Sequence, residues 1–314
     1  MSEVDSLLIT GSAGFVGQSV LDYLASISLS DRPRRIGLVS HKQQTYVPAE
    51  LAESTEIDHL RADLLEPWEM KFEATHILHL AADGSSSAYS DKASRDFVTM
   101  TKNMCEWAAT LQHPIVFHAS SGACFGHVPL SENSSVSSGE GLSAKKKVFI
   151  ENRLAAESVV NSYHQQGVID LRVGRLYSFI GSHLREKPHY AVPHFVQMAL
   201  HNRKIEISGN PRTTRSYLSA EDMSDWIYRA LNPKVSSEIL SIGSEVPVTL
   251  GEVATFVADK TNSEIIYLDP LREGDYYVAS NGLTRDRLGV EERTSWQTSL
   301  ESYIETCRGM DTNE

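Results

Sequence analysis

The sequence runs to 314 residues, 41% of them hydrophobic and 22% charged, enough for a large core in one continuous domain or two unequal ones. Its formal net charge of -12, from 29 basic and 41 acidic side chains, argues against an extended nucleic-acid or membrane-binding surface, so an anionic ligand needs specific donors in a local pocket. Cys105, Cys124 and Cys307 are far apart and match neither a metal-ligand spacing nor a disulfide framework. The apolar run at the amino end is too short for a signal peptide, and no stretch approaches the roughly 20 apolar residues of a membrane span; the expectation is a cytoplasmic protein.

In chain order, Ser6 to Thr10 reads as a short apolar strand followed by GSAGFVGQSVLDYLA. Gly11, Gly14 and Gly17 permit a tight turn, close approach of the backbone to a pyrophosphate, and close packing of the next helix on the sheet. That helix opens at Phe15 and Val16 with exposed amide donors, which favour phosphate. The next strand, RRIGLVSH, ends at Ser40, where an acidic residue often accepts hydrogen bonds from the ribose of NAD. His41 and Lys42 follow, and this arrangement accommodates the extra phosphate of NADP or forms a solvated basic turn, leaving NAD and NADP both open.

Apolar strands are expected at 76–82 (THILHLAA) and 114–120 (PIVFHAS), with a helix over 94–112 between them. A helix over 146–165 and a strand over 167–175 come next. Alternation of strand and helix at these lengths predicts an α/β fold, a Rossmann-type parallel sheet with helices on both faces. Ligands gather above the carboxyl ends of such strands, where Ala81, Ala82, Ser120 and Ser121 fall. The serine-rich segment 131–143 reads as a surface loop. A smaller carboxyl-side α/β region follows, with a helix within 188–203, then a short strand, a positive turn and a helix in IEISGNPRTTRSYLSAEDMSDWIYRAL. The expected division is residues 1–175 and residues 176–310, with strand exchange between them. Asp222 is expected to cap or face its helix, and His76, His79, His118, His194 and His201 form no metal motif.

The ordered set TGSAGFVG, Asp63-Leu64, HLAA, HASSGACFG, FIENRLAAE, LRVGRLYSFIG, GNPRTTRSYLSAEDMSDW and REGD resembles the extended short-chain dehydrogenase/reductase family. The closer resemblance is to its NAD-dependent epimerase/dehydratase branch acting on nucleotide sugars, and it covers about residues 5 to 305. It implies NAD or NADP on the amino-terminal portion, a nucleoside diphosphate sugar on the carboxyl-side portion, and a homodimer. It also implies that Asp63 and Leu64 lie beside adenine, that Ala81 and Ala82 edge the cofactor, and that Thr101 sits on the supporting helix. By the same resemblance Ser121 is the catalytic serine or threonine position and a substrate contact, Ser85 lies on the substrate side, and Arg215 and Arg272 contact substrate phosphates, with residues 210–214 shaping the surroundings of Arg215.

The family's tyrosine and lysine, four residues apart on one helix face, correspond here to Phe149 and Arg153. Phe149 has no ionisable oxygen, and Arg153 holds its proton at any ordinary pH while still able to donate to ribose or phosphate. Gly122 and Ala123 stand where sugar 4,6-dehydratases carry an adjacent acid pair, so typical dehydration is disfavoured. Lys145, Lys146, Lys147, Glu151 and Asp83 are the remaining nearby groups that exchange protons. The expected function is NAD(P)-dependent modification of a nucleotide sugar, of epimerase or oxidoreductase type, with nonstandard acid/base chemistry. The alternatives are a catalytically inactive NAD(P)- or nucleotide-sugar-binding sensor or partner protein, and an oxidoreductase for a small metabolite.

Overall fold

A computed structural model describes residues 4–41, 45–82, 90–125, 128–129, 143–184, 190–236 and 239–311. The amino-terminal part runs β1 (Ser6–Thr10), α1 (Phe15–Ser26), β2 (Arg35–Ser40), α2 (Ala49–Ala52), β3 (Glu56–Arg61), β4 (His76–His79), α3 (Asp91–Ala108) and β5 (Ile115–Ser121). A 3-10 turn at Gly122–Phe125 leads to β6 (Val128–Pro129), α4 (Ala144–Gln165), β7 (Asp170–Leu176) and β8 (Phe179–Ile180). Then come α5 (Ala191–Leu200), β9 (Ile205–Ile207), β10 (Thr214–Arg215), β11 (Leu218–Ser219), α6 (Ala220–Arg229) and β12 (Ile239–Ile242). The chain closes with β13 (Val248–Thr249), α7 (Leu250–Thr261), β14 (Ile265–Tyr267), β15 (Asp275–Tyr277), α8 (Gly282–Leu288) and α9 (Trp296–Asp311).

The main sheet has seven strands in the order β12-β7-β5-β4-β1-β2-β3, and every pairing in it is parallel. Strand β1 is buried at every position, as a strand covered on both faces must be, which is why SLLIT is a continuous apolar run rather than an alternation. On one face α1 and α6 bury Val20, Leu21, Leu24, Trp226 and Ile227 against the sheet. On the other, α3 and α4 supply Met104, Trp107, Ala108 and Val160. A separate core in the carboxyl-side region joins α5, α7 and α9 through Phe195, Val257, Leu300 and Tyr303. From this part of the chain α6, β12 and α8 return to the main sheet, β12 pairing with Val173–Leu176 of β7 and Leu288 of α8 joining the core beside it.

Side-chain caps fix several helix starts. Ser90, Ser143 and Ser219 accept backbone amides of α3, α4 and α6, and Thr249 with Glu252 forms a capping box on α7. The Ser90 cap starts α3 three residues before the sequence-based boundary, and the chain turns away at His113, whose φ is 50°. Gly167, at φ 69°, likewise delays β7 to Asp170. Asp222 does not cap its own helix, since Ser219 does. Instead the fully buried Asp222 carboxylate accepts from the Arg293 amide at 3.0 Å, the Thr294 amide at 3.1 Å and Arg293 Nε at 2.9 Å, tying the approach to α9 onto α6.

Gly174 of β7 packs directly against the ring of Phe117 on β5, where a Cβ at 174 would lie 2.1 Å from Phe117 Cζ. Because Phe117 is itself fully enclosed, Gly174→Ala is expected to lower unfolding free energy by about 1–3 kcal/mol. Urea denaturation with an unchanged m-value checks this, and an unchanged midpoint would show that Phe117 gives way freely.

Candidate active site

Thr10 ends β1 and the chain turns at Gly11, whose φ of 68° suits glycine. A Cβ there would lie 2.8 Å from the backbone of Ala81, and a Cβ at Gly17 would lie 2.5 Å from the Gly11 carbonyl oxygen. The turn is therefore closed by backbone-to-backbone contact that no larger residue permits. Gly14 is the N-cap of α1, with no side-chain cap and no acidic residue in the first turn. The amides at Phe15 and Val16 thus meet an anion without a competing carboxylate, and the helix dipole adds to the attraction. This cradle fits a dinucleotide pyrophosphate. Thr10 Oγ1 bonds both His79 Nδ1 at 2.9 Å and the Ala81 amide at 3.2 Å, fixing the end of β4 beside the turn; Ala81 is buried and Ala82 exposed.

At the expected adenine end, Ser40 terminates β2 and the exposed His41 stands 4.0 Å from Asp63. Asp63 also accepts the Leu65 amide, and the Leu64 carbonyl accepts Asn103 Nδ2 at 3.0 Å. Thr101 is fully buried and donates to the Phe97 carbonyl within α3. Lys42, Asp83 and Ser85 lie outside the described residues.

On α4, Phe149, Arg153 and Glu157 recur every fourth residue and share one helix face. Arg153 is 9% exposed, and its Cζ lies 3.5 Å from the Phe97 ring centroid and 4.9 Å from that of Phe149. Both rings lie within cation-π reach of the guanidinium, a contact worth about 2 kcal/mol or more when desolvated. Phe149 therefore contributes a ring face. Behind it, the His79 and His118 rings stack with centroids 5.6 Å apart. Burial, then the charge of Arg153, lowers the His79 pKa to about 3. Burial, then His79 and Arg153, holds His118 well below its ordinary range. Both rings are neutral at physiological pH.

Glu157 carries no obvious role in the sequence, yet it organises the end of β5. Ser120 Oγ donates to Glu157 Oε1 at 2.5 Å, while Arg175 donates Nε to Oε1 at 3.0 Å and Nη2 to Oε2 at 2.7 Å. Arg175 in turn lies 4.3 Å over the ring of Phe125. Ser121 follows, and its Oγ accepts the Ala123 amide at 3.2 Å, which leaves the hydroxyl proton to be donated.

The segment after Ser121 enters a small sheet ordered β13-β10-β15-β6. Arg215 on β10 pairs with Asp275 on β15 at 2.7 Å, and Lys146 at the start of α4 reaches the same carboxylate at 3.5 Å. Lys146 is thereby committed to Asp275, while Lys145, Lys147 and Glu151 are exposed. Arg272 is exposed and forms no ion pair among the described residues; its carbonyl accepts Asn210 Nδ2 at 3.0 Å. Arg215 and Arg272 thus belong to one region, but only Arg215 is anchored by an ion pair. Two further residues complete the site and escaped the sequence reading. A Cβ at Gly122 would lie 2.6 Å from Tyr177 Cζ and 2.7 Å from Tyr277 Oη, and the two tyrosine rings pack at 4.9 Å. Among the described residues no cluster of three His, Cys, Asp or Glu could hold a metal, and no helix is long and apolar enough to cross a membrane.

Comparison with known proteins gives this geometry a context. The sequence model of the NAD-dependent epimerase/dehydratase family matches residues 7–243. UDP-glucuronic acid decarboxylase 3 of Arabidopsis thaliana is 23% identical over 265 residues, covering 82% of this chain and 75% of the relative. Among solved structures, MoeE5 in complex with UDP-glucuronic acid and NAD superposes with a TM-score of 0.78 at 21% identity, over 97% of this chain and 99% of the other. A tyrosine-to-phenylalanine mutant of UDP-glucuronic acid 4-epimerase from Bacillus cereus, in complex with UDP-4-deoxy-4-fluoro-glucuronic acid and NAD, gives 0.76 at 18% identity, over 97% and 99%. At these identities the superpositions establish the shared fold.

Two outcomes follow from the cradle and the buried histidines. Gly17→Ala forces the turn apart and is expected to raise the Kd for NAD about 10–100-fold, the equivalent of about 1–3 kcal/mol of misfit, measured by calorimetric titration. Folded His79 and His118 stay neutral where the unfolded chain, with a histidine pKa of about 6.5, takes up protons, so each contributes stability that is present above about pH 6.5 and lost on acidification toward the folded value. In His118→Phe, the fall in unfolding free energy between pH 6.5 and 5 should be shallower by up to about 1.4 kcal/mol per pH unit. Equal slopes in wild type and variant would contradict the neutral assignment.

Proposed function

The chain belongs to the NAD-dependent epimerase/dehydratase family, and from that premise we propose that it modifies a nucleotide sugar by reversible oxidation at a sugar carbon, as an epimerase or oxidoreductase. In this reading Gly11, Gly14, Phe15, Val16 and Gly17 hold the pyrophosphate of NAD or NADP, with Ser40, His41, Asp63 and Leu64 toward adenine and Ala81, Ala82 and Arg153 toward the nicotinamide. Bound there, the nicotinamide supplies hydride acceptance and return. Ser121 orients the reacting sugar hydroxyl by hydrogen bonding. Arg215 and the exposed Arg272 meet the diphosphate through charge-assisted bonds that a protein of net charge -12 must supply locally. Residues 1–175 serve mainly the cofactor and 176–310 mainly the substrate.

The observation that carries this reading is one of continuity. Gly11 abuts Ala81 at the end of β4, β4 pairs with β5, and Gly122 at the end of β5 abuts Tyr277, the register partner of Arg215. The glycine turn after β1 and the Arg215 guanidinium therefore lie along one connected edge, which supports reading the first as the cofactor's and the second as the diphosphate's. The nucleotide-sugar names of the decarboxylase relative and of the two structural neighbours support the same substrate class. In the Bacillus cereus neighbour, a fold that has lost one phenol still holds both ligands, so Phe149 is compatible with binding. The family resemblance likewise supports a cytoplasmic homodimer.

A second reading, a binding protein without turnover, is favoured by the Phe97–Arg153–Phe149 stack, which uses the helix positions for packing. Titrating the NAD-loaded protein with UDP-glucose, UDP-glucuronic acid and dTDP-glucose distinguishes the two. The first reading expects a change in nicotinamide absorbance and an altered sugar in at least one case. Tight binding of cofactor and sugar with neither change selects the second, and binding of neither ligand sinks both.

A further inference from the structure

The last residues of β2 and β3 stand side by side. The two strands pair in parallel and end with Ser40 opposite Arg61, and residues in register point to the same face of a sheet. Ile36 and Leu38 of β2 and Ile57 of β3 pack in the core shared with α1. Counting by two along each strand, Ser40 and Arg61 stand on that face, the one from which α1 presents its amino end. Ser12 of the glycine turn closes the gap, its Oγ lying 3.5 Å from the Val39 carbonyl oxygen and 2.8 Å from Thr45 Oγ1. The end of β2 therefore adjoins the cofactor turn.

An NAD site in a fold of this kind has a carboxylate at that strand end, accepting from the ribose hydroxyls. Here β2 ends in a small uncharged hydroxyl, and the acids around it are engaged elsewhere. Glu56 and Asp58 of β3 both face Arg35 toward the start of the strand pair, at 3.4 and 2.6 Å. Asp63 accepts the Leu65 amide through Oδ1 at 3.0 Å and faces His41 through Oδ2 at 4.0 Å. Arg61 is exposed, and among the described residues it forms no ion pair and no side-chain hydrogen bond. On a protein with 41 acidic and 29 basic side chains, this guanidinium beside the ribose position is open to an anion, and no acid at position 40 cancels its charge.

We propose that this chain selects NADP over NAD, with Arg61 and Ser40 reading the 2′-phosphate of the adenosine ribose, an inference that rests on the cofactor reading above. A guanidinium meets a phosphate through two parallel N–H donors. The serine side chain neither fills the volume of the phosphate nor repels its charge. The neighbours in complex with NAD share the fold at 21% and 18% identity, a likeness that extends to the shape of the cradle and leaves the residue at the end of β2 to each sequence.

The test is calorimetric titration of full-length wild type, Arg61→Ala and Ser40→Asp with NADP and with NAD at low ionic strength. Wild type is expected to hold NADP about 10–100-fold more tightly than NAD, the range given by a charge-assisted pair of hydrogen bonds. In Arg61→Ala the ratio of the two dissociation constants should fall by about tenfold. Ser40→Asp should invert the ratio, because a carboxylate repels the phosphate and accepts from the ribose hydroxyls of NAD. Raising the ionic strength should narrow the wild-type ratio, since the contact is exposed. The fragment 2′,5′-ADP, which lacks the nicotinamide, should compete with NADP on wild type and lose its hold on Arg61→Ala, so the readout is independent of turnover. Wild type that binds NAD as tightly as NADP overturns the inference and leaves the cofactor reading standing. A ratio that Arg61→Ala leaves unchanged overturns it as well. Wild type that binds neither dinucleotide removes the cofactor reading and the inference with it.

Discussion

The carboxylate of Glu157 joins three elements of the active-site region at once. It is carried by α4, accepts the hydroxyl of Ser120 at the end of β5, and takes two bonds from Arg175 in β7. With both ionic partners about nine-tenths buried, removal of either would strand the other's charge at a cost of about 3–5 kcal/mol. This constraint sets the height of α4 against the carboxyl ends of the strands, and therefore where Arg153 and Phe149 stand one and two turns earlier on the same face. It also fixes the exit of the chain from β5 into Gly122, on which the approach of the small sheet depends.

Around that brace the site is divided by dielectric. On the inner side lie His79, His118 and Phe97, groups without charge that surround a guanidinium of permanent charge. An arginine tolerates this setting better than a lysine, because its charge is delocalised, weakly hydrated and suited to stacking on aromatic faces. On the outer side Arg215, Lys146 and Asp275 form a half-exposed set with one more cation than anion. An acidic protein thus carries a local excess of positive charge here.

The sheet and the cofactor turn were legible in the sequence because their signals are local. Strand β1 is a buried apolar run, and a Cβ at Gly17 would meet the turn's own backbone while one at Gly11 would meet the chain leaving the adjoining strand β4. The departures at Phe149 and Arg153 were equally visible, since they are read one position at a time. What the sequence concealed depends on pairing between distant short segments. Strands β6, β10 and β15 span two or three residues each, too few for any periodicity, so nothing announced that Tyr277 would meet Gly122. Glu157 was hidden for a related reason: its partners come from two other strands, and an acid on a helix ordinarily reads as a solvated one. Asp222 was misplaced because a serine three residues earlier already satisfied the helix end and freed it for the chain before α9.

The missing side chain at Gly122 has a consequence for how this chain relates to others of its fold. A side chain at 122 and the phenol of Tyr277 would claim the same volume, so the two exclude one another sterically. A substitution at 122 therefore displaces the tyrosine and with it the packing on Tyr177. A larger residue at 122 thus calls for a compensating change in a segment more than 150 positions away.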